Sequence, residues 1–185
     1  NAALVQINSY NYRYPGALES QRYSGIMSYL ESNYTSAQTI WARGTLAALL
    51  PVYTKHDSLN VDHAQFYLAG REYFIKKLFL EYTLRNILPK DIQSIVQKER
   101  SIVSSELFGI YYREKYGDDD RILDEVLFEI AAKYKDFYEL SYGEIFKDLN
   151  IELVVWDKNK EADFMYEHIP VLRKIYGAAN EFIVY

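Results

Sequence analysis

The side chains best suited to chemistry at neutral pH are three histidines, and two of them lie in one short stretch. His56 and His63 have Asp57 and Asp62 beside them, and imidazole with carboxylate is an ordinary ligand set for zinc. Their spacing matches no helix-borne H-x-x-x-H pair, so we expect solvated loop residues rather than a metal site. His168 could act as a general base, but it lies in a loop beside a carboxylate, and we expect it to be exposed.

Carboxylates form two further groupings. Asp118 to Asp120 stand where a helix should begin, and negative charge there is favoured by the helix dipole by about 0.3–1 kcal/mol. Glu125 and Glu129 share one helix face and could form an acid/base pair. On a surface helix such a pair is usually solvent-facing charge, so we expect both groupings to be solvated.

Cysteine is absent from the sequence. Its absence removes disulfides, thiolate metal sites and thiol nucleophiles together. The chain also contains no G-x-G-x-x-G, no P-loop and no G-x-S-x-G motif. No catalytic residue can therefore be assigned from the residues alone, and we expect neither a cofactor nor a metal.

Tyrosine is abundant, with 19 residues, and it supplies apolar area with a polar tip. The segment FGIYYREKY, Phe108 to Tyr116, places three tyrosines among charges, and Tyr and Arg are enriched at interface hot spots. We take Phe108, Tyr111 and Tyr112 as candidate partner-binding residues. The alternative is a helix C-terminal turn that packs on its own core.

Composition argues against two classes of partner. The net charge is −5 and the isoelectric point is near 5.3, whereas a nucleic-acid binder normally carries a basic face. The same charge argues against a polybasic contact with anionic membrane, and no apolar run approaches the roughly 20 residues that span a bilayer. We expect a cytoplasmic protein that binds neither nucleic acid nor membrane.

The first part of the chain predicts two helices. One runs from Leu18 to about Glu31 and carries its apolar residues on one face. Thr35 and Gln38 have the spacing of a capping box, which predicts a second helix that includes Ile40 and ends near Tyr53.

Further helices follow. Asn60 can cap a long helix, Pro89 marks the next break and suits the first turn of another helix, and Gly117 is a natural C-cap. The segment SYGE, Ser141 to Glu144, is a capping box that opens a short helix.

Strands are predicted only near the end of the sequence. Ile151 to Trp156 is too continuously apolar for an edge strand, so we expect it to be central and buried on both faces. Phe164 to Tyr166 is a candidate short strand, and Glu181 to Tyr185 is another, rich in β-branched and aromatic residues. The prediction is an α+β fold: one helix-rich domain over residues 1–185, with a small C-terminal β-sheet packed against helices and 60–117 as a helical insertion.

The order of these elements resembles the second half of the OTU family of cysteine proteases, which are mostly deubiquitinases. In that family a buried strand of the type N-I-x-[VIL]-x-V-W is followed by an irregular segment and a strand of the type [IF]-x-[LV]-x-Y. The matching residues are Asn150, Ile151, Leu153, Val155 and Trp156, then Phe182, Val184 and Tyr185. Thr39 to Leu49 is also similar to a family helix in which an Arg and small residues recur.

The resemblance implies an OTU-like ubiquitin-handling module, with ubiquitin as partner and a thiol-dependent isopeptidase as the family activity. The family nucleophile lies in a D-G-x-C segment, which this chain lacks. The family His is expected just after Tyr185, so no catalytic residue carries over. Helical inserts contact ubiquitin in bacterial members, which implies that role for 60–117 and, for an effector, the host cytosol. The alternative is a helical protein–protein interaction module with no enzymatic activity.

Overall fold

The computed structural model describes residues 21–60, 70–108, 121–178 and 182–185. The described residues form seven α-helices and one short 3₁₀ helix, Tyr166–His168. The helices are α1 (Ser24–Asn33), α2 (Gly44–Tyr53), α3 (Arg71–Leu84), α4 (Ile92–Lys98), α5 (Arg100–Phe108), α6 (Arg121–Tyr138) and α7 (Tyr142–Asp148).

Five short strands form one mixed sheet. They are β1 (Thr39–Trp41), β2 (Asp57–Ser58), β3 (Leu153–Asp157), β4 (Tyr176–Ala178) and β5 (Phe182–Val184), in the spatial order β2-β1-β3-β5-β4. β1 is parallel to both β2 and β3, whereas β5 is antiparallel to both β3 and β4. The prediction of a helix-rich α+β domain is confirmed, and the sheet gains two strands from the first third of the chain.

The central strand separates two hydrophobic cores because its side chains alternate between the faces of the sheet. Leu153 and Val155 enter a smaller core with residues of α1 and α2, which includes Leu30 and Leu50. Val154 and Trp156 enter a larger core supplied by α3 to α7. All of β3 is buried, which confirms the prediction of a central strand covered on both faces. Each fully buried aliphatic or aromatic side chain contributes about 1.5–3 kcal/mol through its removal from water.

The prediction of a helix over Ile40 and Trp41 is wrong, because these residues form β1 and only Gly44–Tyr53 is helical. Both side chains are fully buried, Ile40 in the smaller core and Trp41 in the larger. That division suits a strand between two layers. Gly44 adopts a left-handed φ of 55° at the start of α2, which separates strand from helix. Thr35 and Gln38 therefore cap no helix.

Other local predictions have mixed outcomes. The Ser141 capping box is confirmed, since the Ser141 side chain accepts from the Glu144 N–H and the Glu144 carboxylate accepts from the Ser141 N–H. The strand at Glu181–Tyr185 is confirmed over Phe182–Val184. Phe164 to Tyr166 is not a strand, because Tyr166 opens the 3₁₀ helix and packs into the larger core.

Pro89 lies three residues before the start of α4 instead of in its first turn, since α4 begins at Ile92 after Asp91. The Gly117 cap and the helix start at Asp118–Asp120 lie outside the described residues, as do residues 61–69, where the helix after Asn60 was predicted to begin. The insertion over 60–117 stays a prediction. Of the described helices, none combines the length and the apolar character needed to cross a bilayer.

Candidate functional site

The sheet has a topological switch point between β1 and β3. β1 leads through α2 to β2 on one side, whereas the chain returns through α3 to α7 to place β3 on the other side. In open sheets with parallel strands, ligands bind in the crevice at the carboxyl ends of the strands where the order reverses. The fold therefore indicates this edge as the first place to look for a site.

A cavity of about 470 Å³ lies at that edge, and we call it the switch-point crevice. Arg43 and Gly44 follow β1, Asn60 follows β2, and Asp157 ends β3. Its volume falls in the range of about 300–1,000 Å³ that is typical of small-molecule sites. The charged residues that line it are Arg43, Lys77, Glu81, Arg85, Glu99, Glu106, Asp157, Lys160, Glu161 and Asp163.

Glu161 is the most unusual of these side chains. It is 3% exposed, and its Oε2 accepts a hydrogen bond of 3.3 Å from the Tyr166 hydroxyl. The same hydroxyl accepts a 2.9 Å hydrogen bond from Nε1 of Trp41. Burial raises the pKa of Glu161 to about 8, because the low-dielectric surroundings disfavour its charged form more than nearby Arg43 favours it.

Asp157, at the end of β3, is buried and ionically paired. Its Oδ1 accepts from a guanidinium nitrogen of Arg22 at 2.8 Å, and its Oδ2 accepts from the Tyr23 hydroxyl at 3.4 Å. It also accepts from the backbone N–H of Asn159 at 3.1 Å, which holds the turn after the strand. Asp157 thus ties α1 and the segment before it to the carboxyl end of the central strand.

The helical wall of the crevice is an ion-pair network. Arg85 donates to both carboxylate oxygens of Glu99, at 2.8 and 3.2 Å, and that hydrogen bonding raises the pKa of Arg85. Glu81 accepts from Arg43 at 2.8 Å, and burial raises the pKa of Glu81 despite the two arginines beside it. The Arg43 guanidinium also lies 4.4 Å from the ring centroid of Phe164, a cation–π geometry.

Of the candidate partner-binding residues, only Phe108 lies among the described residues. It is the last residue of α5, is half-buried, and packs against the larger core. Tyr111 and Tyr112 lie outside the described residues, so the partner-binding assignment stays a prediction.

The histidines divide between two environments. His56 was expected to be a solvated loop residue, which is wrong: it is 1% exposed, because it lies beside the β1–β2 edge and its Nδ1 accepts from the backbone N–H of Gln38 at 3.1 Å. His168 is exposed as predicted. His63 and Asp62 lie outside the described residues.

The carboxylates of α6 behave as predicted. Glu125 and Glu129 are exposed, and Glu129 pairs with Lys133 at 2.9 Å and Arg71 at 3.2 Å. The hydrogen bond from Lys133 lowers the pKa of Glu129. Within the ranges that the structure describes, no three His, Asp or Glu side chains are grouped closely enough to hold a metal ion.

Sequence reasoning missed the switch-point crevice. The segment DKNKEAD, Asp157 to Asp163, has the polar composition of a connector, yet Asp157 and Glu161 in it are buried. The available signal was its position directly after the one strongly apolar strand, where a parallel sheet places polar functional groups.

A second concave surface lies at the opposite end of β3, and we call it the Tyr185 groove. Its volume is about 480 Å³, and Phe146, Ile151, Leu172 and Tyr185 are among its lining residues. Val171 and Ile175 also line it and are 51% and 52% exposed. Tyr185 is fixed there by two backbone hydrogen bonds with Val154, at 2.9 and 3.1 Å. Burial raises the pKa of its phenol to about 12.

Comparison with known proteins assigns no family to this arrangement. No protein-family model, no curated protein and no solved structure matches the chain.

Proposed function

We propose that the chain is an OTU-like ubiquitin-handling module that binds ubiquitin through the Tyr185 groove. The observation that carries the proposal is the direct pairing of the two segments on which the resemblance rests. Val155 lies opposite Val184, and Trp156 lies opposite Ile183, in an antiparallel ladder at the centre of the sheet. The two matching segments are far apart in sequence but form one structural unit, as the resemblance to the OTU family implies.

The composition of the groove suits a protein partner. Val171 and Ile175 expose about half of their surface above a floor that includes the buried Phe146 and Leu153. Apolar side chains rimmed by polar residues, here Arg173, are typical of protein interaction sites. The two half-exposed apolar side chains favour a protein partner over a small molecule.

Binding, not cleavage, is the activity proposed for these residues. The family chemistry needs a thiolate to attack the isopeptide carbonyl and a histidine to act as base. The sequence contains no cysteine. The match to a single family helix at Thr39 to Leu49 also weakens, because Thr39–Trp41 is a strand.

The test is a titration of the ¹⁵N-labelled chain with unlabelled ubiquitin and di-ubiquitin. We expect amide shifts at residues 151–154, 171–175 and 183–185. Val171→Asp should weaken binding by about tenfold or more, since 1.4 kcal/mol is one decade in Kd. Val52→Asp is the matched control, because Val52 is also exposed, at 70%, but lies on α2. Absence of shifts, or equal weakening by both variants, would overturn the proposal.

A helical interaction module is the second candidate, and one observation favours it. Phe128 is 70% exposed on α6, the longest described helix, so folding removes little of its ring from water. A pull-down that recovers one protein other than ubiquitin, and loses it on Phe128→Ala but not on Val171→Asp, would support this function.

A further inference from the structure

We infer that the switch-point crevice is a binding site for a small organic cation that carries a guanidinium or ammonium group. The inference goes beyond ubiquitin binding, because the crevice lies at the carboxyl end of β3 and the Tyr185 groove at its amino end. It rests on three observations: the pairing of the charges in the crevice, the position of Glu161, and the shape of the cavity.

The charge balance favours a cationic ligand. Six carboxyl groups and four basic groups line the cavity. Arg43 is engaged by Glu81 at 2.8 Å and Arg85 by Glu99 at 2.8 Å. Lys77, which is 4% exposed, lies 3.6 Å from Glu106. An anion would have to compete with these carboxylates for the same cations. Because Asp157 is already paired with Arg22 at 2.8 Å, five carboxyl groups remain for the four bases of the lining, and an added cation would balance the one in excess.

Glu161 supplies the carboxyl group best placed to receive such a ligand. It lines the cavity and is buried, and its Oε2 accepts a hydrogen bond from the Tyr166 hydroxyl. A ligand N–H that donates to this carboxylate would form a charge-assisted hydrogen bond, which is about twice as strong as one between neutral groups.

The shape of the site favours an organic cation over a metal ion. The cavity holds about 470 Å³, which suits a ligand of several heavy atoms. Among the residues with described positions, the carboxylates are too dispersed to form a metal-ligand group. A planar guanidinium has five N–H donors that can pair with separated carboxylates. Asp163, which lines the cavity and is 63% exposed, is a second carboxylate that such a ligand could reach besides Glu161.

Binding of a cation should release the proton of Glu161. The groups that face this carboxyl are Arg43, Tyr166, Asp157 and Asp163, and burial, with a smaller contribution from the two aspartates, raises its pKa and keeps it protonated at neutral pH. A bound cation offsets both effects and stabilises the carboxylate. The proton leaves to solvent and no bond to carbon changes. Binding should therefore strengthen as the pH rises through the pKa of Glu161, about 8.

The test uses agmatine, whose guanidinium and ammonium groups stay charged to about pH 9, with inorganic phosphate as the anionic comparison. Amide shifts of Gly44, Glu161 and Asp163 in the ¹⁵N-labelled chain report binding. If ligand binds the ionised form, a pKa of about 8 predicts that Kd falls about tenfold between pH 7 and pH 9. Shifts from phosphate but not agmatine, or no shifts up to about 10 mM agmatine, would overturn the inference.

Three variants sharpen the test. Glu161→Gln keeps the shape and the acceptor for Tyr166, and should reduce the pH dependence of Kd to less than about twofold. Asp163→Asn, at an exposed position that leaves folding intact, should weaken binding by about twofold to fivefold. Glu125→Gln, exposed on α6, should change nothing. A tenfold pH dependence that persists in Glu161→Gln would contradict the assignment of the proton to Glu161. Equal weakening by Asp163→Asn and Glu125→Gln would show that the crevice is not the site.

Discussion

Replacement of Glu161 by glutamine should stabilise the fold near neutral pH. The unfolded chain loses the Glu161 proton near pH 4.5, whereas the folded chain holds it to about pH 8. The folded state therefore binds more protons in that window, so the free energy of unfolding falls as the pH rises from about 4.5 to 8 and is level outside it. The amide cannot ionise in either state, so this loss disappears in the variant.

The magnitude follows from the width of the window. At 1.36 kcal/mol per pKa unit, ionisation of Glu161 in the unfolded state costs about 4 kcal/mol of stability at pH 7.5 and about 5 kcal/mol above pH 8. For a chain of 185 residues, about 2–4 °C of melting temperature corresponds to each kcal/mol. Glu161→Gln should thus melt roughly 8–16 °C above wild type at pH 7.5, and the two should converge near pH 4.5.

The assay is urea unfolding of both proteins at half-unit steps from pH 4.5 to 9, followed by circular dichroism. Subtraction of the two curves removes contributions from all other groups, including Glu81, whose pKa is also raised by burial. Glu125→Gln should stay within about 0.5 kcal/mol of wild type as a surface substitution. Parallel curves for wild type and Glu161→Gln across the window would refute the burial of the Glu161 carboxyl.

Four further substitutions test the packing and the backbone conformation. In urea unfolding, Leu127→Ala should lower the free energy of unfolding by about 2–5 kcal/mol because Leu127 is fully buried. Phe128→Ala, at the next position but 70% exposed, should lower it by less than about 0.5 kcal/mol. A reversed order would contradict the orientation of α6. Trp41→Phe removes the donor to the Tyr166 hydroxyl and should cost about 1–3 kcal/mol by thermal melting, and no loss would argue against that hydrogen bond. Gly44→Ala should cost about 1–2 kcal/mol in urea unfolding, since its φ of 55° is strained for any residue with a Cβ although its surroundings are open; a stabilised variant would contradict that backbone conformation.

The sequence predicted the central strand correctly because the strand is buried on both faces. That position demands an unbroken apolar run, and Leu153 to Trp156 supplies one. β1 has the same environment but only three residues, of which Ile40 and Trp41 are buried. So short a run also fits the apolar stripe of the helix that follows it. The 3.6-residue periodicity therefore predicted strand and helix as one helix. The glycine at position 44 was the remaining signal of a boundary.

The crevice could not be predicted from spacing, because its charged members come from four separate parts of the chain. Arg43 follows β1, Glu81 lies in α3, Glu99 follows α4, and Glu161 follows β3. Each is an ordinary charged residue in its local sequence. Only the parallel pairing of β1 with β3 brings them to one edge, and parallel pairing between distant strands leaves no local pattern. Burial of Glu161 is likewise a tertiary property, since its neighbours Lys160 and Asp163 are those of a typical loop.

The pairing of Ile40 with Leu153 has a consequence for how the chain folds. β3 joins the parallel pair β1–β2 to the antiparallel pair β4–β5, so neither pair belongs to a complete sheet until β3 lies between them. Bringing Ile40 and Leu153 together closes a long loop of chain, and this closure costs conformational entropy before the contacts of β3 are gained. Contacts among α3 to α6 are more local and can form sooner. We expect the helical layer to appear in the first kinetic phase of refolding, and both cores to close together in a slower one when β3 docks.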